Sequence, residues 1–171
     1  SGNRIFFQVG NRDFVLGQKF LDRFGGQLLA DVDYITVGDL NIRIEHGDAL
    51  CTDDVSYQKF RKVIRNPFLL GLLKRTPLAF RKRLATGFRQ KSQQANQIKS
   101  YDVMDVNQHA VEKALIHVDL LIHGHTHRPE IHDVNGKKRI VLGDWRASSA
   151  EILEINIKSS PSTLKLKTWT Y

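Results

Sequence analysis

Three short motifs in this 171-residue chain collect side chains able to bind a metal ion: Gly10-Asn11-Arg12-Asp13, His46-Gly47-Asp48 and Gly124-His125-Thr126-His127. Each alone has a plain structural reading. Gly-Asn-Arg-Asp can be a turn with a helix cap, and a histidine before glycine can be a packed core residue. The His-x-His pair is the stronger metal signal, because a sharp turn at a strand end can aim both rings at neighbouring positions. Imidazole, carboxylate and amide-oxygen donors together suit Mn²⁺ or a similar divalent ion.

The elements that must position these motifs follow from apolar patterning. Ile5 to Val9 is an apolar run stopping at Gly10-Asn11, a strand entering a loop. Asp13 is placed to cap a following helix with Phe14, Phe20, Leu21 and Phe24 on its apolar face, ended by Gly25-Gly26. Tyr34 to Val37 and Leu40 to Ile44 flank Gly38-Asp39, a two-residue hairpin loop, and the second strand leads into His46. Residues 56 to 114 read as helical. Tyr57, Phe60 and Ile64 share a face before Pro67, Phe80, Leu84 and Phe88 recur at i, i+4, i+8 after Pro77, and Val106, Ala110, Val111 and Leu115 mark a third helix. Val118 to Ile122 is a short apolar strand ending at His123-Gly124-His125. Asn135-Gly136 is a hairpin turn with Arg139 to Leu142 as its second strand, and Ile152 to Ile157 and Leu164 to Trp169 close the chain as strands. The β-rich ends are each too small to bury a core alone, which favours one domain over two.

Composition narrows the partners. Hydrophobic residues make up 41% and charged residues 26%, which suits a globular domain with a core. No apolar run is long enough to cross a bilayer. A single cysteine, Cys51, rules out an internal disulfide, fits a reducing cytoplasm, and reads as a small buried filler. The net charge of +8 is uneven: from Lys59 to Lys99 there are twelve Lys or Arg and no Asp or Glu. Such a surplus can serve solubility, but a patch this dense points to an anionic partner: nucleic acid, phospholipid headgroups or a phosphorylated substrate.

In this order, each at a strand end, the three motifs resemble those of the calcineurin-like metallophosphoesterases. That resemblance implies a layered α/β sandwich and two divalent metal ions, Mn²⁺ being expected. Asn11, His46 and His125 would hold one ion and His127 would help hold the other. Two such ions screen the phosphate charge and acidify a bridging water for in-line attack. The wider superfamily has His where Arg12 stands here. A phosphate leaving group needs little protonation, so a fixed guanidinium that neutralises charge fits pyrophosphate cleavage better than a general acid.

Longer strings narrow the resemblance. His46 to Asp54 with Tyr57, Met104-Asp105-Val106-Asn107, Leu121 to Pro129 and Val141 to Trp145 are similar to the UDP-2,3-diacylglucosamine hydrolases of lipid A biosynthesis. This family cuts a pyrophosphate to give UMP and lipid X. The resemblance implies catalytic roles for Arg12 and His125, and substrate contacts at Asn11, Arg12, Asp54, Tyr57, Ser92, Asn96, Lys99 and His125. Ser92, Asn96 and Lys99 at i, i+4, i+7 share one helix face, which otherwise reads as a solvated surface. Residues 56–114 would form a helical lid inserted in a single 1–171 domain, with Phe60, Phe68, Leu69, Leu70, Leu72, Leu73, Phe80 and Phe88 as candidate acyl-pocket residues. About half of these are expected in core packing instead. Arg65, Lys74, Arg75, Arg81, Lys82, Arg83 and Arg89 would face anionic lipid headgroups, giving a cytoplasmic enzyme peripheral on the inner membrane of a Gram-negative cell, with no nucleic-acid or protein partner expected.

Several residues are set aside: Gly38-Asp39 as a turn, His109, His117 and His132 as structural, Asp144 as orienting a local turn, and His123 as support behind the metal pair. The family begins with an Asp-x-His motif and then a Gly-Asp motif ahead of the Gly-Asn-Arg-Asp segment, whereas this sequence starts one strand before that segment and contains no Asp-x-His. The expectation is therefore a fragment lacking several metal ligands and early strands, with poor activity by itself. Two other readings stay open. One is a nuclease or cyclic-nucleotide phosphodiesterase on the same scaffold, which would need stacking aromatics rather than a Phe- and Leu-rich insert. The other is a non-catalytic lipid-binding remnant.

Overall fold

The run Val118 to Ile122 becomes the centre of a five-stranded mixed sheet. The computed structural model describes residues 2–98 and 101–171, with side chains for all of these except 89, 91–98, 101 and 102. In chain order the elements are β1 (Ile5–Phe7), α1 (Gln18–Leu21), a 3₁₀ turn (Asp22–Phe24), β2 (Gly26–Leu28), β3 (Val32–Val37) and β4 (Leu40–Glu45). The helices α2 (Val55–Ile64), α3 (Pro67–Lys74), α4 (Leu78–Ile98), α5 (Tyr101–Met104) and α6 (Gln108–Ala114) follow. Then come β5 (Leu120–His123), β6 (Glu130–Val134), β7 (Lys137–Val141), β8 (Ser149–Asn156) and β9 (Thr163–Thr170).

The large sheet has the order β3-β4-β5-β7-β6, with β4, β5 and β7 parallel and antiparallel strands at both edges. All four residues of β5 are buried, as expected of a central parallel strand covered on both faces. On one face Ile42, Leu120, Ile122 and Ile140 pack against Leu153, Ile155, Leu164 and Leu166 of the β8–β9 hairpin. On the other, Leu121 packs with Val111, Ala114 and Leu115 of α6 and with Leu50 and Val118. The result is a layered α/β arrangement, with β1 and β2 as a separate parallel pair.

Local signals set most boundaries. Gly38 at φ 62° makes the two-residue turn that pairs Val37 with Leu40. Asn66 caps α3 through its side chain with Pro67 in the first turn, and Asn107 caps α6 by accepting from Ala110 N at 3.1 Å. The second strand of the later hairpin is Lys137–Val141, starting two residues before the expected Arg139.

The segment after β1 departs from expectation. Asp13 caps no helix: its carboxylate accepts from Gly10 N, folding residues 11–15 into a turn, and α1 starts only after Gly17, without a side-chain cap. Phe14 therefore lies outside the helix. Phe20 and Phe24 meet edge to face at 5.7 Å and remain exposed, while Leu21 is the buried residue of that segment.

The helical block departs in a second way. None of Phe60, Phe68, Leu69, Leu70, Leu72, Leu73, Phe80 and Phe88 is buried, although half were expected in core packing. Phe68 is 83% exposed, and Phe60 and Phe88 pair edge to face at 5.3 Å. A hollow of about 270 Å³ lies along α4, lined by Phe80, Arg83, Leu84, Gly87 and Phe88. Among the described residues no helix is long and apolar enough to cross a membrane.

Candidate functional site

The ends of β4 and β5 lie side by side. These strands run parallel in the register Glu45 with His123, so His46 and Gly124 leave the sheet as neighbours, and Gly124 N donates to His46 O at 3.0 Å. The carboxyl ends of adjacent parallel strands are where α/β sheets hold their ligands. The turn after β1 closes over the same spot. A Cβ at Gly10 would lie 2.7 Å from His46 Nε2, so only glycine lets the backbone that carries Asn11 come this close. All three motifs thus converge.

His46 and His125 meet edge to face with ring centroids 5.1 Å apart, and Tyr57 stacks on His125 at 6.1 Å. His125 and His127 both have positive φ, 67° and 52°, the left-handed region that costs a non-glycine residue about 1–2 kcal/mol. The turn that aims the two rings is therefore held in an unfavourable conformation. It is pinned by the Gly124–His46 hydrogen bond at one end and by an Arg128–Asp105 ion pair at the other. Burial, helped by the neighbouring His46, pushes His125 down to about 4, so its ring is uncharged near neutrality and keeps a free lone pair. His123 is buried, also lowered to about 4 chiefly by burial, with Nδ1 2.9 Å from Gly124 O.

The other expected residues are placed less uniformly. Asn11 and Arg12 sit in the turn after Gly10, with Arg12 exposed. His127 is exposed beside His125. Asp54 caps α2, accepting from Tyr57 N at 3.0 Å and from Ser56 Oγ at 2.8 Å. Ser92 and Asn96 lie on α4 with side chains outside the described set, and Lys99 lies outside the described residues altogether. Gly38-Asp39 is a hairpin turn, His109 and His117 are exposed, and Asp144 pairs with Arg146.

A buried polar network behind the histidines was not foreseen. Asp48 is 1% exposed and faces His46 Nδ1 at 3.3 Å, within ion-pair reach though without hydrogen-bond alignment. Tyr57, Arg61 and Arg65 of α2 converge on the same carboxylate. Burial alone would raise the Asp48 carboxyl, but the contacts with His46, Tyr57 and the two arginines hold it well below the usual carboxylate range. Arg65, expected at lipid headgroups, is instead largely buried and paired with Asp31 at 2.6 Å and Asp48 at 3.4 Å. The i, i+4, i+8 spacing of Tyr57, Arg61 and Arg65 was the available signal, but their acidic partners are distant in sequence.

The donor chemistry suits a divalent ion. The His46 and His125 rings meet at strand ends, one uncharged and the other with a carboxylate facing its inner nitrogen, the arrangement that orients a metal-binding histidine, and Asn11 and His127 lie in the adjoining turns. Among the described residues, however, no group of three or more His, Cys, Asp and Glu side chains is placed to hold a metal ion. The residues present fit one side of such a centre.

No protein-family model matches the chain. Curated relatives do. The chain is 47% identical over 157 residues to a UDP-2,3-diacylglucosamine hydrolase of Haemophilus influenzae (strain PittGG) and 46% identical over 161 residues to one of Vibrio parahaemolyticus, each match covering 91% of this chain. A third, from Neisseria meningitidis serogroup C, is 44% identical over 157 residues. The chain spans about two-thirds of the length of these relatives, 65–66%. Among solved structures, an archaeal phosphodiesterase aligns over 97% of this chain and 70% of its own at 14% identity, with a TM-score of 0.47. On nine-tenths of its length, at nearly half of the matched positions, the chain belongs to the UDP-2,3-diacylglucosamine hydrolase family.

Proposed function

We propose that the chain carries part of the active site of a metal-dependent pyrophosphatase that cleaves UDP-2,3-diacylglucosamine to UMP and 2,3-diacylglucosamine 1-phosphate. The observation that supports this is the edge-to-face meeting of His46 and His125 beyond the adjoining ends of β4 and β5, with the turn that carries Asn11 closed against His46 at Gly10. Asn11, His46 and His125 would hold one divalent ion, taken as Mn²⁺, and His127 would contribute to a second. When bound, such ions offset phosphate charge and acidify water.

The chain's own residues do the rest. The uncharged His125 ring offers a lone pair rather than a proton near neutrality. Arg12, exposed in its turn, is free to meet a phosphate oxygen with a fixed positive charge. Its charge suits a leaving phosphate, which departs as a stable anion. Asp54, Tyr57, Ser92, Asn96 and Lys99 are proposed around the sugar phosphate. Residues 56–114 are proposed as a lid on a single domain, with the apolar side chains of α3 and α4 taking the acyl chains. The exposed Lys74, Arg75, Lys82 and Arg83 are proposed to face the anionic inner leaflet from the cytoplasm.

A substrate comparison tests this. With Mn²⁺ and the remaining third of a relative supplied, hydrolysis should be strong on UDP-2,3-diacylglucosamine in detergent and weak on bis-p-nitrophenyl phosphate, DNA and RNA. The reverse ranking would move the assignment to a nuclease or general phosphodiesterase.

A further inference from the structure

Asp48 has no part in the scheme above, yet its carboxylate meets four side chains at the site. A buried carboxylate is costly to desolvate unless paired and hydrogen-bonded. Its oxygens are used separately. Oδ2 accepts from the Tyr57 hydroxyl at 2.6 Å, from Arg61 Nε at 3.0 Å and from Arg65 Nη2 at 3.4 Å. Oδ1 lies 3.3 Å from His46 Nδ1. Both arginines are fixed from their far side by Asp31, at 3.2 and 2.6 Å. Gln58 Nε2 donates to the Asp48 backbone oxygen at 2.8 Å, tying the same helix to the same residue.

The turn that brings Asp48 back beneath His46 depends on Gly47, at φ 104°, where a Cβ would stand 2.7 Å from His123 Nδ1. A carboxylate facing Nδ1 favours the tautomer with N–H at Nδ1 and the lone pair at Nε2, the atom that lies against Gly10 and the start of the Asn11 turn. The Tyr57 hydroxyl points inward to Asp48, and its ring is the one stacked on His125.

We propose that Asp48 is a positioning residue: it sets the tautomer and rotation of His46 directly, and the seat of His125 through Tyr57. One carboxylate thereby fixes two imidazoles relative to each other. Tyr57 then serves chiefly as a strut whose hydroxyl is committed to Asp48. The inference rests on the hydrolase reading only for what the two histidines do once placed.

The test uses the ¹⁵N-labelled chain with Asp48→Asn, Tyr57→Phe, Arg61→Ala and Arg61→Lys. In the unaltered chain, long-range ¹⁵N–¹H spectra should show His46 protonated at Nδ1, with a ring-to-ring contact to His125. Asp48→Asn should raise the share of the other tautomer, weaken that contact, and lower affinity for Mn²⁺ alone roughly ten- to hundred-fold. Tyr57→Phe should move the His125 signals and leave the His46 tautomer in place. Arg61→Ala should reproduce part of the Asp48→Asn change and Arg61→Lys should restore it, a pair that decides the matter if Asp48→Asn does not fold. A folded Asp48→Asn or Arg61→Ala chain with His46 and His125 signals unchanged would overturn the proposal. Shifted signals in a chain that binds no Mn²⁺ even when completed by the remaining third of a relative would support the positioning role and remove the hydrolase reading instead.

Discussion

The strand-end site and the helices α3 and α4 are built from similar residues used in opposite ways. At the strand ends, Arg61, Arg65 and Tyr57 turn inward and meet Asp48, with Asp31 pairing the two arginines as well. Along α3 and α4, Phe68, Leu72 and Phe80 stand exposed beside Lys74, Arg75, Lys82 and Arg83, and among the described residues none of these four cations pairs with an acid. The first region spends its charges on one another and gains rigidity. Among the described residues the second leaves charge and apolar surface exposed, in keeping with the proposed uptake of an amphipathic anionic molecule. Residue type alone does not separate these fates; the presence of an acid within reach does.

The contrast can be pressed by substitution. The largest effect is expected at Asp48: Asp48→Ala leaves Arg61 and Arg65 without their buried partner and should cost about 3–5 kcal/mol in urea unfolding. A loss under about 1 kcal/mol would mean the network is no more than a surface pairing. Next comes Gly47→Ala, which meets both the positive φ and the His123 ring, and calorimetry should show a loss of more than about 1 kcal/mol. Phe68→Ser and Leu72→Ser belong to the other region and should change stability by no more than about 0.5 kcal/mol. They should nonetheless weaken sedimentation with vesicles containing anionic phospholipid; a large stability loss with unchanged vesicle binding would reverse the roles given to the two regions. The smallest signal is at Cys51, where burial, with nearby acids, pushes the thiol up to about 12. A disulfide reagent should label it in the folded chain only as fast as the chain opens, and rapid labelling would show the core beneath the site to be loose.

Much of the scaffold could be read before the structure because its signals are local. Gly38-Asp39 and Asn135-Gly136 mark their own turns, Pro67 and Pro77 divide the helices, and the apolar run before His123 is its own evidence of a buried strand. The three motifs were visible because each sits where a strand stops. What escaped was non-local. Asp13 looked like a cap because acids commonly cap helices, and only the folded turn shows Gly10 N taking its carboxylate. Arg65 looked like a surface cation because nothing acidic lies near it in sequence. Its partners are 34 and 17 residues away and are brought to it by the β2–β3 connection and the turn after β4.

The strand ends are proposed as the metal and phosphate side of a pyrophosphatase. The most direct test is Mn²⁺-dependent release of UMP from UDP-2,3-diacylglucosamine by this chain joined to the remaining third of a relative, alongside His46→Ala and His125→Ala versions. Release should stop with chelator and fall at least about a hundred-fold in either variant. Equal release from all three proteins, or none from a folded and metal-loaded chain, would contradict that assignment.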